Sequence, residues 1–133
     1  MTTVADVVRL AEQLPEVTER MRYGMRTWFV DGTGFVWERP FSKADIKRFG
    51  EVTPPTGPIV AVRVDDLEEK EAVLAAGDAG VFTIAHFDGH PAVLLDLSTA
   101  TRATVERAVV DAWLACAPTE LAAEHAKRLI DNA

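Results

Sequence analysis

The sequence predicts an α+β domain: a twisted, mainly antiparallel sheet of about five or six strands with helices packed against it. Three observations carry that reading. Asp-Gly dipeptides at Asp31-Gly32 and Asp88-Gly89 each lie between β-branched and aromatic runs, the pattern of a hairpin turn. Amphipathic stretches with cap signals fall between these strand groups instead of alternating with every strand. The 133 residues are enough for one domain with its own core, and no stretch reads as an interdomain linker.

The elements follow in order. Val4, Val7, Val8, Ala11 and Leu14 recur at helical spacing behind the capping candidates Thr2 and Thr3, and Pro15 stops the run. "EVTERMRYGMRTWFV" suits strands, with Met25, Thr27 and Phe29 on one face and Arg26, Trp28 and Val30 on the other. "DGTG" turns the chain, and "FVWERPF" is the return strand, ended by Pro40. "SKADIKRFG" predicts a short helix from a Ser42 cap to a Gly50 stop, and "EVTPPTGP" a loop. "IVAVRV" is a buried strand. "DDLEEKEAVLAAG" then starts a helix with Asp65 as N-cap, Glu68 as its capping-box partner and Gly77 as the stop. "VFTIA" and "PAVLLDL" read as two strands joined at Asp88-Gly89. In "TRATVERAVVDAWLACA", Val105, Val109, Ala112, Trp113 and Cys116 form one helical stripe, and Pro118 opens a last helix.

Charge is unevenly distributed. The net charge of −7 combines nine basic and eight acidic residues over 1–64 with five basic and thirteen acidic over 65–133. Between positions 20 and 48 lie seven basic residues, Arg20, Arg22, Arg26, Arg39, Lys43, Lys47 and Arg48, against three acids. Tyr23, Trp28, Phe35 and Trp37 are interleaved with them, a mixture that stacks on bases or fills a core. The acidic whole repels a polyanion at long range, while a local basic surface can still dock one. The one cysteine excludes an internal disulfide, and "MTTVADVV" lacks the basic start of a signal peptide. No apolar run reaches the ~18 residues of a membrane span. These features predict a cytoplasmic protein.

No catalytic set is legible. Ser42 and Ser98 stand outside any nucleophile elbow, Cys116 falls on the apolar stripe of its helix, and "DGTG" leads into a strand, not a phosphate-binding helix. His86, Asp88 and His90 alternate in "HFDGH". A two-residue loop there places the histidines on opposite faces, whereas a three-residue loop makes them cross-strand partners. Two histidines and a turn aspartate fall short of the three or four ligands zinc takes. The expectation is therefore a β-hairpin tip with no metal and no cofactor. A second possibility is a small-molecule or protein-partner pocket between the sheet and the acidic C-terminal half, lined by Tyr23, Trp28, Trp37, His86, Asp88 and His90.

"LPEVTERMRYGMRTWFVDGTGFVWERP", "VFTIAHFDGHPAVLLDLS" downstream and a helix ending in "CAP", in this order, resemble the MmcQ/YjbR family from Val4 to about Pro118. That resemblance implies a twisted antiparallel sheet in a double-wing or secretion-chaperone-like arrangement. It also implies a non-enzymatic domain of a family commonly labelled DNA-binding. The basic hairpin from Arg20 to Arg48 is the expected contact surface.

Overall fold

The computed structural model describes residues 2–131. Helix α1 (Val4–Glu12) starts at a capping box: the Thr3 hydroxyl accepts from the Asp6 N–H at 3.2 Å, and the Asp6 carboxylate accepts from the Thr3 N–H at 2.9 Å. A three-strand meander follows, β1 (Val17–Arg22), β2 (Met25–Val30) and β3 (Thr33–Glu38). Both of its turns are two residues long, with positive φ at Tyr23 (52°), Gly24 (76°), Asp31 (50°) and Gly32 (75°). That is the type I′ geometry whose twist matches adjoining strands. Helix α2 (Lys43–Phe49), strand β4 (Ile59–Arg63), helix α3 (Leu67–Ala75), strands β5 (Val81–Phe82) and β6 (Ala92–Asp96), and helices α4 (Arg102–Cys116) and α5 (Thr119–Asp131) complete the chain. The strands form one six-stranded sheet in the order β1-β2-β3-β4-β6-β5, and every pairing is antiparallel.

Alternation divides the sheet residues between two faces. Trp28, Val36, Val60, Val62, Val93 and Leu95 pack with Val7 and Ala11 of α1 and with Val105, Val109, Ala112 and Trp113 of α4 in the main core. The stripe expected along α4 is the one buried, with Cys116 half-buried at its end. Trp113 also donates its indole N–H to the Pro15 carbonyl at 3.1 Å, pinning the exit of α1. On the second face, Ile59, Ala61, Ala92 and Leu94 form a smaller core with Phe87, Phe82, Trp37 and Phe41. Helix α2 is held to this side, since Phe41 meets both Phe49 and Phe82 edge-on.

The strand-prone stretch from Val17 to Val30 divides into two strands at Tyr23-Gly24. The sequence reading needs correction in two places. The N-cap of α3 is Asp66, which accepts from the Glu69 N–H at 2.7 Å. Asp65 and Glu68 match the same motif one residue earlier, but the helical residues begin at Leu67, so the capping position falls to Asp66.

The second correction concerns "HFDGH". Strand β5 is only Val81–Phe82, and nine residues separate it from β6, so neither hairpin register applies. Ala85–Phe87 form a 3-10 turn, with the Phe87 N–H on the Ile84 carbonyl at 2.9 Å and the Asp88 N–H on Ala85 at 3.0 Å. Asp88-Gly89 do occupy a turn: φ −59° and ψ 128°, then φ 79°, closed by the His90 N–H on Phe87, is type II. Packing overrides the strand propensity of "VFTIA". Phe87 is buried and stacked on Trp37 at 6.3 Å, and Lys70 donates its ammonium to the carbonyls of Phe87 (2.6 Å) and His90 (3.0 Å). Burial at this site lowers the Lys70 pKa, with Asp88 pulling the other way.

Candidate nucleic-acid interface

Among the described residues, arginines cover the second face of the sheet where it is built from β1, β2 and β3. Arg20 pairs with Thr27 and Thr18 with Phe29 across β1 and β2, so Arg20 and Arg22 project on the Phe29 side. The Arg20 guanidinium lies 4.3 Å from the Phe29 ring centre, and that of Arg22 lies 5.2 Å from Phe29 and 5.9 Å from Trp37. Such stacking holds a guanidinium flat while leaving its N–H edge available.

Gly34 makes room for this arrangement. A side chain there would place its Cβ 2.9 Å from Arg22 Nη2, closer than atoms approach. Arg22 is half-buried as a result, yet among the described residues it has no carboxylate partner and no side-chain hydrogen bond. A partly desolvated charge with no counter-charge is costly unless a ligand supplies one.

The seven basic residues do not act as one patch. Arg26 points to the main-core side, where it grips Glu19 through two hydrogen bonds of 3.0 Å and covers Trp28. The Arg26 hydrogen bonds, chiefly, hold the Glu19 carboxyl below its ordinary value. Arg39 stacks over Phe87 and is paired at 3.0 Å with the buried Asp45. Burial pushes the Asp45 carboxyl up, but the Ser42 N–H and hydroxyl and Arg39 outweigh it, and the net direction is down. Lys43, Lys47 and Arg48 are exposed on α2 without an ion pair among the described residues. Among the described residues, five of the seven therefore remain without an ion-pair partner: Arg20, Arg22, Lys43, Lys47 and Arg48.

The alternative pocket set also divides. Trp37, His86 and His90 gather around Phe87, the histidine rings at 6.0 and 6.4 Å from it. His86, Asp88 and His90 are exposed, Tyr23 is 90% exposed at the β1–β2 turn, and Trp28 is fully buried on the opposite face. Among the described residues, no three His, Cys, Asp or Glu side chains are grouped to hold a metal ion. None of the described helices is long and apolar enough to cross a membrane.

The sequence reading passed over Phe29 and Gly34, the two residues that position Arg22. A signal was present: the turn "DGTG" needs only its first glycine, and a second glycine within a strand marks a close approach by another group.

These features define a single-sheet α+β domain with one helix-covered face and one face partly surfaced by stacked arginines. The chain belongs to the family of the uncharacterized protein Rv2570 of Mycobacterium tuberculosis and of Mb2600 of Mycobacterium bovis. Each is 39% identical to it over 124 residues, 91% of this chain and 93% of the relative. No family model and no solved structure matches the chain.

Proposed function

We propose that this chain is a non-enzymatic DNA-binding domain of MmcQ/YjbR type, acting in the bacterial cytoplasm and docking through the β1–β3 face. One observation carries the reading: Arg22 is half-buried on Phe29 and Trp37 in the space left by Gly34, with no counter-charge among the described residues. A phosphate oxygen would supply that charge, and Arg20 beside it offers a second contact. Exposed Lys43, Lys47 and Arg48 on α2 extend positive charge on the side of the sheet where α2 docks. The acidic remainder of the molecule, which brings the net charge to −7, disfavours long-range attraction and confines the contact to this face.

Fluorescence anisotropy with labelled duplex and single-stranded DNA, at low and at physiological salt, tests the proposal. Affinity should fall as salt rises, by about 0.9 log units per tenfold salt for each duplex phosphate engaged. Absence of binding at micromolar protein in low salt would overturn the proposal.

A further inference from the structure

One buried acceptor beside α2 is left unused. Asp45 is 2% exposed, and its Oδ2 accepts from the Ser42 N–H at 2.9 Å and faces the Arg39 guanidinium at 3.0 Å. Its Oδ1 is buried with no hydrogen-bond partner among the described residues. A buried carboxylate oxygen ordinarily has a donor, and leaving it without one is costly. Arg39 already balances the charge, so the missing group is a hydrogen-bond donor and not a second cation.

Asp45 lines a cavity of about 220 Å³ between α2 and the Thr83–Ala85 segment. A single water takes ~30 Å³, so the space exceeds what hydrating one oxygen requires. Drug-sized ligands occupy about 300–1,000 Å³, so one small ring is the better match. The other lining residues are half-buried or exposed: Arg48, Phe49, Thr83, Ile84 and Ala85. Phe49 and Ile84 supply apolar walls, and Phe41 fixes Phe49 edge-on at 5.2 Å. Asp45, Arg48 and Phe49 share one face of α2, at positions i, i+3 and i+4. Arg48 has no ion pair among the described residues. The cavity therefore combines a buried acceptor, an exposed donor and flat apolar walls. Its complement is a flat ring with an N–H and a C=O side by side.

We propose that the α2 cavity binds a planar cyclic lactam, its ring against Phe49 and Ile84, its N–H donating to Asp45 Oδ1 and its carbonyl accepting from Arg48. This does not rest on DNA binding through the β1–β3 face. Proton–nitrogen correlation spectra recorded during titration with 2-pyridone test it, with N-methyl-2-pyridone as the control that lacks the donor. 2-Pyridone should give saturable shifts centred on Arg48, Phe49, Thr83, Ile84 and Ala85, and the N-methyl compound should bind roughly tenfold more weakly or worse. In Asp45→Asn the side-chain carbonyl keeps the donors Ser42 and Arg39, which turns the amide N–H toward the ligand. That variant should bind 2-pyridone about tenfold more weakly and leave the N-methyl compound unchanged. Arg48→Ala, at an exposed position that spares the fold, should weaken both compounds alike, because both carry the carbonyl. A lactam edge also occurs on unpaired guanine and thymine. Displacement of 2-pyridone by a single strand of those bases would place the ring on nucleic acid, and failure to displace it would place the ring on a free small molecule. Equal affinity for the two pyridones, shifts centred elsewhere, or no saturable shift would each overturn the proposal.

Discussion

Replacing Phe87 by alanine separates the observed fold of "HFDGH" from a simple hairpin tip. At a tip the ring would be in solvent, and its removal would change stability by no more than ~0.5 kcal/mol. In the structure Phe87 is 5% exposed, stacked on Trp37 and packed with Ile59, Ala61 and Leu94. Removing a buried phenyl ring costs ~3–5 kcal/mol through lost transfer energy and the cavity left behind. The lower end applies, because exposed residues flank the site and can relax into the gap. At ~3–5 °C per kcal/mol for a chain of this size, about 3 kcal/mol lowers Tm by roughly 10 °C or more. Urea unfolding with tryptophan fluorescence measures the change directly, since Trp37 is the stacking partner. His86→Ala and His90→Ala, both exposed, should stay within ~0.5 kcal/mol of the parent. A Phe87→Ala protein as stable as the parent would refute the placement of this segment.

Other expectations follow from the same geometry. Tyr23 holds φ 52° and is 90% exposed, so Tyr23→Asn, which suits a type I′ turn better, should raise stability by about 1 kcal/mol in thermal melts. Gly34→Ala should displace the Arg22 guanidinium, and an unchanged Arg22 side-chain NMR signal would contradict that contact. The Asp45 carboxyl is lowered in the folded state from 3.8, so its contribution is present above that value and lost as pH falls through the lower, folded-state value. Asp45→Asn should therefore reduce the loss of stability between neutral pH and pH 3 in urea titrations. A parallel pH profile would argue against the Ser42 and Arg39 contacts.

The sequence made most of the helices and the antiparallel sheet legible because their signals are local. Thr3 and Ser42 cap where the motif places them, and the Val105–Trp113 stripe is buried as its spacing requires. The failures are those of non-local packing. Nothing near Phe87 in the chain announces Trp37, fifty residues upstream, or Lys70, which donates to the Phe87 and His90 carbonyls, and these contacts turn a β-prone run into a 3-10 turn. The basic cluster was legible as composition but not as geometry. Pairing across the Tyr23-Gly24 turn assigns Arg20 and Arg22 to one face and Arg26 to the other, which composition alone does not show.

The division of those arginines gives the most direct test of the proposed function. DNA affinity is measured for the parent, for Arg20→Ala combined with Arg22→Ala, and for Arg26→Ala, whose side chain is held by Glu19 on the opposite face. Each lost duplex phosphate contact costs roughly tenfold in affinity near 0.1 M salt and about 0.9 in the salt slope. The double variant should therefore bind duplex DNA roughly a hundredfold more weakly, with a slope shallower by about two, while Arg26→Ala stays within about twofold of the parent. Equal losses in the two variants, or a double variant that binds like the parent, would contradict docking through the β1–β3 face.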